Sequence, residues 1–106
     1  MKSILEQVFN TFLKDVCKEL NITTGVILSK TREQPYVTIR HFLMHAAVTH
    51  FQLTLPFIGK IFNRHHASVI HARDKVSKVI NKRELTFSEK IYIEAINSAL
   101  SRVRLN

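Results

Sequence analysis

The chain has 106 residues, the length of one ordinary domain, of which 45% are apolar and 23% charged. Its one cysteine excludes an internal disulfide and therefore a disulfide-stapled secreted fold, and no apolar run approaches the roughly 18 residues of a membrane span. The net charge of +8 suggests a polyanionic partner, usually nucleic acid and less often a membrane surface. We expect one intracellular soluble domain over residues 1–106, without a signal peptide and too short for a self-contained ATPase.

The first apolar pattern lies in residues 2–20, where spacings of one and three alternate from Ile4 to Leu20. This is one broad helical stripe, which we expect to pack on the final helix with Cys17 buried. The stripe is wide enough that part of it is a candidate homodimer seam or a site for a protein partner. Residues 1–20 are electrically balanced, with three Lys against three acidic residues.

The middle of the chain predicts a short helix, a loop and a buried helix. Residues 24–29 follow capping residues and form the short helix, and residues 30–34 are polar and form the loop. Pro35 suits the start of the next helix. Residues 37–51 are apolar around nearly the whole helix circumference, which is typical of the centre of a small bundle.

Two adjoining helices come next and carry most of the positive charge. Thr54 is a candidate cap for a helix over 55–62, and a break at Asn63 precedes a helix over 65–82. In this second helix an apolar stripe (69, 72, 76, 79) runs beside a polar and basic row (64, 68, 71, 75, 78, 82). Residues 60–84 hold seven Lys or Arg against two acidic residues. Thr86 and Glu89 then have the spacing of a capping box that opens a closing amphipathic helix.

The arrangement over about 55–82 is the pattern of a helix-turn-helix. In that motif the start of the second helix meets base edges, which here means Arg64, His65, His66, Ala67 and Ser68. Further along the helix, Lys75, Lys78 and Lys82 are candidates for phosphate contacts.

The stretch that forms this motif reads Leu55-Pro-Phe-Ile-Gly-Lys-Ile-Phe-Asn-Arg-His-His-Ala-Ser-Val-Ile-His-Ala72. It resembles the signature of the C-terminal DNA-binding domain of the bacterial replication initiator DnaA, approximately Leu-Pro-x-Ile-Gly-x-x-Phe-Gly-Gly-Arg-Asp-His-Thr-Thr-Val-x-His-Ala. Upstream, Leu28-Ser-Lys-Thr-Arg32 is similar to the family's Leu-Ser-Lys-x-Arg. Arg40 falls where the family has an arginine opening its central helix, and the resemblance makes Arg40 a candidate DNA contact. The resemblance covers about residues 16–80. It implies an all-α, Trp-repressor-like fold of about six helices around residues 37–51.

The resemblance also implies roles for individual residues. Arg32 matches a loop arginine that enters the minor groove, and Leu55 and Pro56 match a helix start whose backbone meets phosphate. Arg64, His66, Ala67 and Ser68 match the start of the recognition helix, and His71 matches a histidine near the DNA backbone.

The chain departs from the family pattern at several of these positions. The Gly-Gly turn is one residue shorter and leaves only Asn63, which can adopt a left-handed conformation. The family's Asp is His65, and a cationic His cannot accept a hydrogen bond from cytosine N4 as Asp does. Ala67 and Ser68 replace two Thr, and Glu33 lies inside the basic loop. These departures bear on which sequence is recognised, whereas duplex binding remains the expectation.

The family's ATPase domain, which normally precedes the module, is absent from the sequence. We therefore expect DNA binding without ATP-driven filament assembly. Met1 and a full first helix favour a whole small protein over an excised fragment.

Other chemistry has little support in the sequence. His41 and His45 have ligand-compatible spacing, but no Cys or carboxylate lies nearby in sequence to complete a metal site. His65 and His66 could also chelate, but adjacent helical residues point about 100° apart, which favours DNA contact. There are no paired carboxylates, phosphate-binding Gly-rich loop or nucleophile motif, so we expect no enzyme activity, cofactor or metal.

The sequence thus predicts sequence-preferring binding of double-stranded DNA in replication initiation, its regulation or transcription regulation, near the bacterial nucleoid or in a mobile-element host. Two alternatives stay open. One is an adaptor that kept the fold but lost sequence readout, tying a protein partner to DNA through residues 4–20. The other is a nonspecific basic protein that binds any polyanion.

Overall fold

The protein is described by a computed structural model over residues 3–103, and that range contains six α-helices and no strand. The helices are α1 (Ile4–Glu19), α2 (Thr24–Leu28), α3 (Tyr36–Thr49), α4 (Leu55–Phe62), α5 (His66–Asn81) and α6 (Phe87–Ser101). The predicted all-α fold with about six helices is therefore confirmed.

Three helices begin at hydroxyl side chains that accept a backbone hydrogen bond. Ser3 Oγ accepts from the Glu6 amide at 3.1 Å, and Thr23 Oγ1 accepts from the Val26 amide at 3.2 Å. The predicted capping box at α6 is confirmed, because Thr86 Oγ1 accepts from the Glu89 amide and Glu89 Oε1 accepts from the Thr86 amide. These bonds satisfy amides that have no partner within their own helices.

The core is built around α3, which packs against α2, α4, α5 and α6. Its buried side chains come from several faces of the helix, which confirms the expectation of a central helix. Beside its end lies an aromatic cluster, in which the Phe51 ring stands 5.2 Å from Phe9 and 5.0 Å from Phe12 between centroids. Phe62 joins this cluster at 6.3 Å from Phe9, so the end of α4 is fixed to the same core.

The α1 stripe packs partly as predicted. It contacts α6, and Cys17 is buried, which confirms both expectations. Its first residues depart from the core, because Ile4 is 78% and Leu5 41% exposed. Arg102 closes the other end of the α1–α6 contact, with nitrogens 3.6 Å from Asp15 and 3.8 Å from Glu19 carboxylate oxygens.

Candidate nucleic-acid interface

The turn between α4 and α5 consists of very few residues and is fixed by backbone hydrogen bonds. Asn63 has φ 53° and ψ 50°, the left-handed conformation anticipated for it. The Arg64 amide donates to the Gly59 carbonyl at 2.7 Å and the Asn63 amide to the Lys60 carbonyl at 3.3 Å, which is the Schellman pattern of a helix end. The two helices consequently pack directly against each other, as the helix-turn-helix prediction requires.

The start of α5 is an exposed edge. His65, His66, Ala67 and Ser68 are all exposed, and α5 begins at His66 with His65 as its N-cap. His65 Nδ1 accepts a hydrogen bond from the Ala67 amide at 3.2 Å. The expectation that the two histidines point apart is wrong, because His65 has extended backbone rather than helical geometry. The two rings instead lie 4.3 Å apart, with 30° between their planes.

Arg64 lies in the turn and not in the recognition helix. Its Nη1 donates to the Phe62 and Asn63 carbonyls at 3.0 and 3.1 Å, and its Nη2 donates to the Ser29 carbonyl at 3.0 Å. The guanidinium therefore ties the turn to the loop that follows α2. The prediction that Arg64 opens the second helix is wrong, because α5 begins at His66. The hydrogen bonds of Arg64 position the turn and the loop, and its predicted contact with DNA stays a prediction.

Arg40 is the second arginine that holds this loop. It is only 3% exposed and donates to the carbonyls of Ile27 (2.7 Å), Thr31 (3.2 Å) and Ser29 (3.3 Å). Burial, together with the nearby charge of Arg64, lowers the pKa of Arg40 below its ordinary value. These hydrogen bonds show that Arg40 supports the loop, and its predicted contact with DNA stays a prediction.

A groove of about 580 Å³ lies between this loop, α3 and the start of α5. Ala67 and Ser68 form part of its wall, so the groove adjoins the exposed edge of α5. None of its lining residues, all within residues 3–103, is acidic. Its titratable and cationic lining residues are Lys30, Arg32, Arg40, His41, Arg64 and His71. Such a surface attracts anions and repels cations.

The lowered pKa of His41 agrees with a positively charged groove. His41 is half-buried on α3, and its pKa is lowered first by burial and then by the charges of Lys75, His71 and Arg40. The basic row of α5 therefore acts on the groove. Arg32 is exposed in the loop, where the Thr31 hydroxyl accepts from the Glu33 amide at 3.2 Å.

The lysines of α5 differ in their surroundings. Lys75 and Lys78 are exposed on the helix, and among the described residues no ion pair engages either. Lys82 is the C-cap, and its Nζ lies 2.7 Å from Glu89 Oε1. Its charge is thus partly neutralised by an interaction that also braces the α6 cap, which the sequence pattern did not indicate.

The start of α4 carries the remaining predicted site residues. Thr54 is the N-cap as predicted, but its side chain makes no capping hydrogen bond, and Leu55 and Pro56 open the helix. Pro56 has no amide hydrogen, which leaves the Leu55 and Phe57 amides at the positive end of the helix.

The described residues also bear on metal binding and on membrane spanning. Within the part that the structure describes, no group of three or more His, Cys, Asp or Glu side chains could hold a metal ion. His45, whose spacing from His41 is ligand-compatible, lies with Nε2 3.5 Å from Thr49 Oγ1. No helix between residues 3 and 103 has the length and apolar character to cross a membrane.

The short turn, the exposed helix edge and the cation-lined groove together define a helix-turn-helix protein of the DNA-binding class. The chain belongs to the bacterial DnaA protein helix-turn-helix family, whose family model matches residues 9–76.

The chain is also similar to chromosomal replication initiator proteins DnaA from several bacteria. It is 28% identical over 92 residues to that of Mycoplasma pneumoniae, covering 77% of this chain and 21% of the relative. The protein of Thermoanaerobacter sp. (strain X514) is 36% identical over 72 residues, covering 68% of this chain and 16% of the relative. The protein of Ureaplasma parvum is 37% identical over 67 residues, covering 62% of this chain and 15% of the relative. The chain thus spans about a fifth or less of the length of these relatives.

Proposed function

We propose that the chain binds double-stranded DNA with a sequence preference, placing the start of α5 in the major groove. The observation that carries this proposal is that the exposed residues 65–68 directly adjoin the cation-lined groove. Sequence-specific binding needs two kinds of contact on the same face of a protein. Phosphate contacts position the protein on the duplex, and base contacts specify the site.

The described contacts support a division of roles. His65, His66, Ala67 and Ser68 face base edges, with Ala67 offering its methyl group to a thymine methyl. Lys75, Lys78 and His71, together with the open amides at the start of α4, meet phosphates. Arg32 reaches the neighbouring minor groove from the loop that Arg40 and Arg64 hold in place.

Replication initiation or its regulation is the process that the similar proteins' names support, with transcription regulation as the related possibility for a sequence-reading module. Such a protein would act at the bacterial nucleoid.

The exposed start of α1 favours a second candidate function. Ile4 and Leu5 are 78% and 41% exposed at the start of a stripe whose later residues, from Phe9 to Cys17, are buried. Single exposed apolar residues are ordinary, whereas adjacent ones at the end of a stripe are candidates for a contact surface. An adaptor that carries a protein partner, or a second copy of the chain, at residues 4–5 would use this end of α1. Sedimentation of a single monomer mass at high concentration would argue against self-association.

The test is selection of bound duplexes from a random-sequence pool at near-physiological salt. Enrichment of one short motif supports sequence readout. Retained binding without a motif, lost in moderate salt, would contradict readout and support a nonspecific module, because phosphate contacts alone are sequence-independent and salt-sensitive.

A further inference from the structure

The N-cap of α5 fixes the chemistry that His65 can offer to a base. The Ala67 amide donates to His65 Nδ1 at 3.2 Å, and a backbone amide can only donate. Nδ1 must therefore carry a lone pair and no hydrogen. A neutral imidazole with an unprotonated Nδ1 has its hydrogen on Nε2, so the remaining ring nitrogen is a donor.

The surroundings of the ring leave it open to a ligand. The His66 ring lies against it with 4.3 Å between centroids, and His65 is an exposed residue. A second proton on the ring would place an N–H opposite the Ala67 N–H and remove the cap. While the cap is in place, the one polar atom of this side chain left for a ligand is a hydrogen-bond donor.

We propose that His65 is a specificity-determining residue that reads a hydrogen-bond acceptor in the major groove, with guanine preferred and cytosine rejected. This inference rests on the proposed function. Guanine presents two adjacent acceptors, N7 and O6, whereas cytosine presents only its N4 donor there. A donor placed against that N4 group leaves both groups unpaired in a desolvated contact, which is costly.

Two substitutions separate the readout from the cap. Asn and Asp are both strong N-caps, so each preserves the start of α5. In His65→Asn, Oδ1 accepts from the Ala67 amide and Nδ2 remains as a donor. In His65→Asp, one oxygen caps and the other is an acceptor. The two side chains are nearly identical in shape, so the matched pair differs in the polarity presented to DNA and in charge.

The experiment repeats the duplex selection with the wild type and both variants, followed by competition binding on duplexes that differ only at the affected base pair. Circular dichroism verifies that each variant keeps its helix content. We expect the wild type and His65→Asn to select the same guanine. His65→Asp should select cytosine at that position, with the other positions unchanged and roughly tenfold weaker binding to the wild-type site.

Other outcomes contradict the inference in distinguishable ways. An enriched motif that His65→Asp leaves unchanged at every position, or a wild-type motif that requires cytosine opposite His65, overturns the inference but not the proposed function. A uniform loss of affinity in His65→Asp on all duplexes would show a phosphate contact instead of base readout and would also overturn it. If the wild type enriches no motif, both the proposed function and this inference fail.

Discussion

At the scale of single residues, the carbonyl of Ser29 connects the two arginines behind the site. Arg64 Nη2 and Arg40 Nη2 donate to it at 3.0 and 3.3 Å. Since both guanidiniums donate to backbone carbonyls, each helps to hold the loop after α2 in place, and the predicted DNA contacts of the two arginines stay predictions. The two guanidiniums fix the position of the Arg32 loop relative to the start of α5. These two segments face each other across the groove although they lie more than 30 residues apart in the sequence.

Removal of the Arg64 guanidinium should therefore loosen the loop as well as the turn. For Arg64→Ala we expect unfolding to become easier by about 1–3 kcal/mol, the usual effect of losing hydrogen bonds from a charged donor. Arg73→Ala is the matched control, because among the described residues Arg73 pairs only with exposed Asp74, at 3.0 Å, and its loss should change stability by less than about 1 kcal/mol. Urea denaturation checks both, and equal effects of the two variants would contradict the positioning role of Arg64.

The single cysteine gives a second prediction at this scale. Burial raises the pKa of the Cys17 thiol to about 11, which leaves almost no thiolate near pH 8. A thiol reagent should react slowly with the folded protein and rapidly after denaturation. Rapid stoichiometric reaction under native conditions would show that α1 is not packed as described.

At the scale of elements, the turn after α4 depends on the absence of a side chain at Gly59. A Cβ there would lie 2.5 Å from the Arg64 carbonyl oxygen, which is backbone and cannot rotate away. Gly25 in α2 offers the contrast, since a Cβ there meets nothing nearer than Thr23 Oγ1 at 3.8 Å. The same substitution therefore has opposite consequences at the two positions.

We expect Gly59→Ala to destabilise the protein by about 1–3 kcal/mol through steric overlap and to weaken DNA binding by displacing α5. Gly25→Ala should be neutral or stabilise by up to about 1 kcal/mol, because alanine is the better helix former. Thermal and urea unfolding measure both changes. A stabilising effect of Gly59→Ala would mean that the turn is not built as described.

The elements were largely predictable because their signals are local. Apolar spacing and capping residues together located the six helices of the described range, and Thr86 with Glu89 located a cap that the structure contains. The role of Arg64 was not predictable, because its acceptor lies 35 residues earlier in the chain. The capping by His65 was missed because histidine is not among the preferred N-cap residues, so no local signal marks it. The sequence therefore predicted the location of the candidate interface better than the hydrogen bonds that its side chains make.

At the scale of the whole molecule, half-buried histidines on α3 link stability to pH. Burial, and then neighbouring positive charges, lower the pKa of His41, and burial followed by His50 lowers that of His45. The unfolded chain thus binds protons that the folded chain excludes. Stability is fully present above the ordinary histidine pKa, near 6.5, and is lost as pH falls through the lowered values of the folded state.

We accordingly expect the free energy of unfolding to decrease between pH 7 and about pH 5.5, above the range where most carboxylates titrate. His41→Gln combined with His45→Gln should flatten this decrease. His66→Gln, at an exposed position, serves as the control and should retain it. Urea unfolding at several pH values gives the slopes, and an unchanged slope in the double variant would contradict the linkage.

We expect one face of the molecule both to read bases and to neutralise phosphates, and this is what most needs a test. The most direct measurement is an anisotropy titration of the wild type, His66→Ala and Lys75→Ala on the selected duplex and on a scrambled duplex over a range of salt. Lys75→Ala should weaken binding to both duplexes about equally and reduce the salt slope by about one. His66→Ala should cost about 1–3 kcal/mol mainly on the selected duplex. Equal losses on both duplexes for His66→Ala would contradict this expectation.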